Sequence, residues 1–377
     1  MDSQLKNAGL YVHIPFCDHK CIYCDFYSII KEDNKSLYLT CLTSEIDHFS
    51  GIFSKTHQFE TIYFGGGTPS LVEPEYLGSI IDHLKKNFII SSDAEITMET
   101  NPGTVSLEKL RRFRCVGINR ISIGIQSFDE DDLKFLTRIH SAESAIQTVK
   151  DAETAGFSDI SLDLIFNLPG QSKEKWIRNL EIAVSLPITH ISAYSLILER
   201  GTILNKMVLK GEVEMQDEEI DSELYETTMD FLAEKGFEHY EVSNYCKPGF
   251  ECRHNQIYWD CKNYLSFGTS AHSYMDGKRW WNYSALSIYN AAVQKRNEAV
   301  AGSELLSEND LYEESIMLGL RSRGLSLDSP EMQDWYGDRR LIIDGLISAG
   351  KIFLEGNKLK LTRDGFLVCD EIVERLL

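Results

Sequence analysis

Short apolar, β-branched runs recur through the first 200 residues: LYVHIPF (10–16), TIYFGGG (61–67), EITMET (95–100), RISIGIQSF (120–128), DISLDLIF (159–166) and HISAYSLIL (190–198). Longer polar segments with helical spacing separate them, at Lys35–Ser54, Glu75–Lys86, Leu107–Phe113, Ala142–Ala155 and Lys173–Leu186. Strand-length runs alternating with helices predict βα units, and six in series predict a parallel sheet buried on both faces. Their spacing of about 30–35 residues suits such units. Polar and glycine-rich residues gather just after the strands: a cysteine cluster, GGGTP (65–69), Glu99-Thr100-Asn101-Pro102, Gln126 and Asn167–Gly170. A parallel α/β barrel places its functional groups at those strand ends. Six units predict an incomplete (β/α)6 barrel.

The pattern changes after Leu198. A long acidic helix is expected over Asp217–Lys235, followed by GFEHYEVSNYCKPGFECRHNQIYW (236–259), rich in aromatic and hydrogen-bonding side chains. RNEAVAGSELLSE (296–308) reads as a linker or surface crossing. Beyond it come helices, a hairpin KIFLEGNKLKLT (351–362) turning at Gly356-Asn357, and a closing helix. The expected organisation is a partial barrel over 1–235, a connecting region over 236–300 and a small winged-helix-like α+β domain over 301–377.

Composition narrows the possibilities. The 377 residues are 43% hydrophobic and 25% charged, an ordinary globular balance. There is no apolar run of about 18 residues or more, which argues against a membrane-spanning helix. The N-terminal segment lacks a basic stretch followed by an apolar core, so a cytoplasmic protein is expected. A net charge of -20 argues against a nucleic-acid surface, which needs basic stripes. Lys358 and Lys360 on the expected wing are too few to reverse that, so the C-terminal unit reads as a cover or docking surface.

Of nine cysteines, Cys17, Cys21 and Cys24 crowd together as C-x3-C-x2-C. The other six (Cys41, Cys115, Cys246, Cys252, Cys261 and Cys369) read as buried or incidental thiols. An odd, clustered set in a long chain favours metal ligation over disulfides. Pro15 and the preceding strand place the cluster on a loop, where three thiolates can surround one soft iron–sulfur centre. A zinc site completed by His13 or His19, or unligated thiols, stays open on spacing alone.

The segment YVHIPFCDHKCIYCDF (11–26) resembles the signature of the radical S-adenosylmethionine (SAM) superfamily, most closely its HemN/HemW branch. The resemblance spans nearly the whole chain. It implies a [4Fe–4S] cluster on Cys17, Cys21 and Cys24, with SAM on the iron they leave open. It also implies SAM contacts from Gly66, Gly67 and Thr68 of the glycine motif, and from Glu99, Gln126, Arg138 and Asp163. Tyr11 and Tyr23 match ring positions flanking cluster and SAM. Carboxylates can accept ammonium or ribose hydroxyl protons, and Arg138 can pair with a carboxylate. Relatives of the HemN type hold a second SAM, for which Gln126, Arg138 and Asp163 would be shared.

Within that branch the resemblance divides. HemN-type coproporphyrinogen oxidases carry a further cysteine two positions beyond the cluster, where this chain has Phe26, and a longer segment ahead of it. Instead, Cys252 opens the element Arg253-His254-Asn255-Gln256-Ile257-Tyr258-Trp259, whose H-N-x-x-Y-W pattern resembles the haem-chaperone relatives, as does Gly268–Ser273. His254 is therefore the candidate axial haem ligand, with Cys252 and His272 weaker ones. Three functions remain: a carrier that passes haem to an acceptor protein, a radical SAM coproporphyrinogen III oxidase, and a zinc-stabilised binding module. The carrier reading ranks first; it leaves open a respiratory acceptor and peripheral membrane contact through it.

Overall fold

The computed structural model describes residues 5–30 and 35–377. Strands β1 (Lys6–Ile14), β2 (His57–Gly66), β3 (Ile89–Thr100), β4 (Arg120–Gln126), β5 (Asp159–Phe166) and β6 (His190–Ser195) lie side by side in chain order, all parallel. The crossovers carry α1 (Lys35–Phe53), α2 (Pro74–Asn87), α3 (Leu107–Cys115), α4 (Glu130–Phe135), α5 (Ala142–Thr154) and α6 (Lys173–Ser185). Helix starts follow from capping chemistry: the Ser106, Ser141 and Ser172 side chains each accept the backbone N–H three residues on.

Alternation along these strands sorts the two faces. Leu10, Val12 and Ile14, then Ile62 and Phe64, Ile96 and Met98, Ile121 and Ile123, Leu162 and Leu164, and Ile191 and Ala193 all enter the main apolar core. The residues between them are Tyr63, Glu99, Arg120, Ser122, Gly124, Asp163, Ile165, His190, Ser192 and Tyr194, and these line the barrel lumen. Both faces are largely buried, with Tyr194 exposed at the open end of the lumen, but only one is apolar. A polar lumen in a period-2 pattern is a place for a ligand rather than for packing.

The region read as a connector, 236–300, extends the sheet at both ends. β7 (Glu238–Glu241) and β8 (Asn244–Cys246) continue beyond β6, with β8 antiparallel to it, while β9 (Asn263–Phe267) pairs in parallel with β1. β10 (His272–Met275), β11 (Lys278–Asn282) and β12 (Val300–Leu305) add antiparallel strands outside β9. The twelve strands run in one series from β12 to β7 without closing, which leaves the barrel incomplete. The linker or surface crossing expected over 296–308 runs along the surface, but its middle, Val300–Leu305, is the edge strand β12 rather than irregular chain. Its side chains are largely exposed and it is bonded on one side only, so it carries no apolar signature.

Helices α7 (Ile203–Leu209), α8 (Glu218–Glu234), α9 (Arg253–Trp259) and α10 (Leu286–Arg296) pack around this sheet. The C-terminal unit comprises α11 (Glu308–Leu320), α12 (Pro330–Asp338), α13 (Arg340–Ser348), a small sheet of β13 (Leu325–Ser326), β14 (Ile352–Glu355) and β15 (Lys358–Leu361), then α14 (Arg363–Phe366) and α15 (Cys369–Leu376). It has its own core around Trp335, Leu320, Ile343 and Leu359. The hairpin turns where expected, with Gly356 at φ +59. Arg363 fastens the unit to α8 by donating to Asp230 at 2.6 and 2.7 Å, and Phe366 packs on the His239 ring at 4.3 Å. Among the described residues no helix is long and apolar enough to cross a membrane.

Candidate functional site

β1 ends at Ile14, and from Pro15 the chain leaves the sheet as a non-helical loop carrying Cys17, Cys21 and Cys24. The loop is closed at its neck: Cys17 N donates to Ile29 O (2.9 Å) and Ile29 N to Pro15 O (2.7 Å). Its middle is pinned by Ile22, a buried side chain packed with Leu136, Ile165, Leu168, Leu196 and Leu204. Ile22 also donates its N–H to Thr137 Oγ1 (3.2 Å) and accepts from Leu204 N (2.9 Å). The three thiols are thus held over the C-terminal ends of the parallel strands.

A cleft of about 380 Å³ lies beneath them. All three cysteines line it with Tyr23, Gly66, Gly67, Thr68, Glu99, Gln126, Arg138 and Asp163, so the structure brings these sequence candidates to one place. The Gly66 backbone has φ +113, and a Cβ there would stand 2.5 Å from the His13 ring. At Gly67 a Cβ would meet Phe16 O at 2.7 Å and Cys17 Sγ at 3.0 Å. The glycines therefore let β2 press against the cysteine loop as well as expose backbone to the cleft. Gln126 adopts φ 72 at a register break in β4, an uncommon conformation that turns the strand end at the site.

Charge in the cleft is balanced by close contacts. Glu99 accepts from the Tyr63 hydroxyl (2.9 Å) and Gly66 N (3.1 Å); burial, reinforced by Asp163, pushes its carboxyl up to about 7. Burial raises Asp163 as well, against a hydrogen bond from Ser122 Oγ (3.0 Å). Arg138 donates from Nη2 to Asn101 Oδ1 (2.6 Å) and to the Gly124 carbonyl, and from Nη1 to Cys21 Sγ (3.6 Å). Its buried Nε has no partner among the described residues. Burial pushes Cys17 up, and Cys24 up to about 11, so these thiols favour the protonated form until a metal centre displaces the proton.

These residues fit a cluster with SAM. Soft thiols stand at the strand ends, a guanidinium lies beside one of them, and exposed glycine backbone and two carboxyls face the same space. Among the described residues no group of three or more His, Cys, Asp and Glu is gathered to hold a single metal ion. His13 is buried with Nδ1 3.2 Å from the Tyr11 hydroxyl and Nε2 3.0 Å from Tyr27 O, engaged rather than free for zinc.

Two sequence candidates stand behind the cleft wall. Tyr11 and His254 line a neighbouring cavity with Tyr63, Gly66, Glu99 and Tyr258. The His254 ring stacks on Tyr63 at 5.0 Å, with Nδ1 2.6 Å from Thr61 Oγ1 and Nε2 2.9 Å from the Tyr258 hydroxyl. It is 1% exposed, and burial depresses its imidazole to about 3. His254 thus sits on the wall of that cavity with both ring nitrogens hydrogen-bonded, to Thr61 and Tyr258. Cys252 is likewise buried, donating to Glu95 Oε1 at 3.7 Å. Cys41, Cys246 and Cys369 are buried free thiols, in keeping with their incidental reading.

Sequence reasoning missed Tyr63, Arg120, Ser122, Tyr194 and Asn255, all of which line the cleft. For the strand residues the signal was present: each polar side chain sits two places from another within an apolar run, as in Arg120 and Ser122. Asn255 comes from α9 and reaches the site only through tertiary packing.

Residues 11–183 match the Radical SAM superfamily. Heme chaperone HemW of Mycobacterium tuberculosis is 34% identical over 98% of this chain and 94% of its own length. The HemW of Bacillus subtilis is 33% identical over 98% of each chain. The structure of coproporphyrinogen III oxidase (HemN) from Escherichia coli superposes with a TM-score of 0.84, covering 99% of this chain and 90% of that one at 22% identity. That match shows a shared fold through the C-terminal unit. With full-length similarity on the sequence side and the cysteine loop above a polar lumen on the structural side, the chain belongs to the HemW family of the radical SAM superfamily.

Proposed function

We propose that this protein binds a [4Fe–4S] cluster on Cys17, Cys21 and Cys24 with SAM at the open iron, and carries haem to an acceptor protein. The reading is supported above all by full-length similarity to relatives named heme chaperone HemW. The chain's own residues divide the work. The three cysteines would hold the cluster, and Arg138 would pair with the SAM carboxylate. Gly66 and Gly67 would present backbone to its amino group, with Glu99 accepting a hydrogen bond from that group. Gln126 and Asp163 would face the remaining part of the ligand. Cluster and SAM, when bound, supply one-electron chemistry at the sulfonium.

Phe26 favours transport over porphyrinogen oxidation, because it puts an exposed ring where the oxidases have a thiol. Haem titration of the reconstituted protein tests the carrier reading: a saturable Soret shift and transfer to an apo-haem protein are expected. Conversion of coproporphyrinogen III to protoporphyrinogen IX under anaerobic reducing conditions would establish the oxidase instead.

A further inference from the structure

Both ring nitrogens of His254 are hydrogen-bonded, and the ten histidines can be sorted by position for one whose ring is free to bind iron. His13, His57, His140, His190 and His254 are buried. His48 and His83 are ion-paired with Glu298 (3.7 Å) and Asp47 (2.7 Å). His239 is sandwiched between the rings of Tyr245 and Phe366. His272 is exposed on β10, stacked 6.0 Å from Trp281, and does not line the cleft. His19 alone is both exposed and on the cleft, and no hydrogen bond or ion pair among the described residues engages its ring.

The surroundings of His19 are unusual for an acidic protein. Large apolar side chains stand in solvent around the same opening: Phe26 at 64% exposure, Ile197 at 67% and Tyr194 at 43% line the cleft. Ile139, at 70%, lines the adjoining hollow that His19 also borders. Lys20 Nζ donates to Phe26 O (3.4 Å), which sets a cation at the edge of this rim. An apolar rim, an available imidazole and a flanking cation match the three parts of a haem: porphyrin face, iron and propionate. An iron porphyrin can engage all three at once, whereas an ordinary peptide segment would leave the imidazole unused.

We propose that haem docks across the mouth of the cleft. There the His19 ring donates a lone pair to the iron, the porphyrin lies on Phe26, Ile139, Tyr194 and Ile197, and Lys20 meets a propionate. The bond is a coordination bond, and no electron changes hands. Because His19 lies between Cys17 and Cys21, a cluster on those cysteines also fixes the position of the ligand. The site rests on the carrier reading and gives that reading a location.

The test is haem titration of the full-length, cluster-reconstituted protein, with circular dichroism to verify folding of each variant. His19→Ala is expected to weaken binding at least tenfold and to change the Soret band. His19→Met is expected to retain binding with the altered spectrum of a thioether ligand, and Ile197→Ser to weaken binding without altering the spectrum. His272→Ala is expected to leave both unchanged. Wild-type affinity and spectrum in both His19 variants, or loss of binding in His272→Ala, would overturn the site and leave the carrier reading intact. Absence of saturable binding in the wild type would overturn the carrier reading and the site with it.

Discussion

Tyr63 donates its hydroxyl to Glu99 Oε1 at 2.9 Å, joining β2 to β3 at the level where the cysteine loop closes the barrel. The other oxygen of that carboxylate takes the Gly66 amide, so one side chain fixes the glycine turn and faces the cleft. Replacing Tyr63 by Phe keeps the ring and removes the donor. A hydrogen bond to a charged group contributes about 1.5–3 kcal/mol, so SAM affinity should fall about tenfold or more with the cluster content unchanged. Calorimetric titration with SAM measures this; equal affinity in Tyr63→Phe would show that Glu99 needs no such orientation.

Single alanine replacements of Cys17, Cys21 and Cys24 should each abolish stable cluster assembly, since each removes one of only three protein ligands. Iron and acid-labile sulfide analysis after anaerobic reconstitution reads the outcome. Cys115→Ser, at an exposed position away from the cleft, serves as the control and should retain full iron. Retention of the cluster by any of the three loop variants would displace that cysteine from the ligand set.

His254→Ala should act on stability and on SAM rather than on the haem spectrum. It strips partners from Thr61 and Tyr258 and opens a void against Tyr63, at a cost of about 2–4 kcal/mol. Urea unfolding should show that loss, with His254→Asn recovering part of it through a retained contact to Thr61. A missing Soret shift in a folded His254→Ala protein would restore the histidine to the haem site.

Glu45 gives a signed pH prediction. It is buried in α1, accepting from Gly268 N (2.9 Å), Asn282 Nδ2 (2.6 Å) and Tyr289 Oη (2.6 Å), and burial pushes its carboxyl up to about 7. The folded state therefore keeps its proton where the unfolded chain, with a pKa of about 4.3, has lost it. The stabilising contribution is fully present below about pH 4.3 and is lost as pH rises towards 7, at up to about 1.36 kcal/mol per pH unit. In Glu45→Gln that fall disappears. The difference between the two proteins' unfolding free energies across pH 4–8 is the measurement, and parallel curves would refute the assignment.

Much of the architecture was legible because local patterns agreed with the global fold. Strands β1 to β6 all fall within or overlap the apolar runs, though the further parallel strand β9 lies in none of them, and the expected helix Lys35–Ser54 appears as Lys35–Phe53. The cysteine loop was legible from spacing and from Pro15. β12 was not, because an edge strand buries little. Nor was the burial of His254, because a histidine in a polar helix reads the same whether its ring meets solvent or Tyr63. Which of ten histidines remains free is a property of packing, and no spacing rule carries it.

The pairing of β9 with β1 has a consequence for how the molecule is made. Residues 263–267 flank the strand that delivers the cysteines, yet they leave the ribosome long after it. Until then one edge of β1 has unmet hydrogen-bonding groups. Such a long-range contact slows folding, and it delays completion of the site until most of the chain is synthesised. The order of synthesis thereby acts as a checkpoint: a nascent or truncated chain presents its thiols early, but receives the finished pocket only after residues 263–267 have emerged.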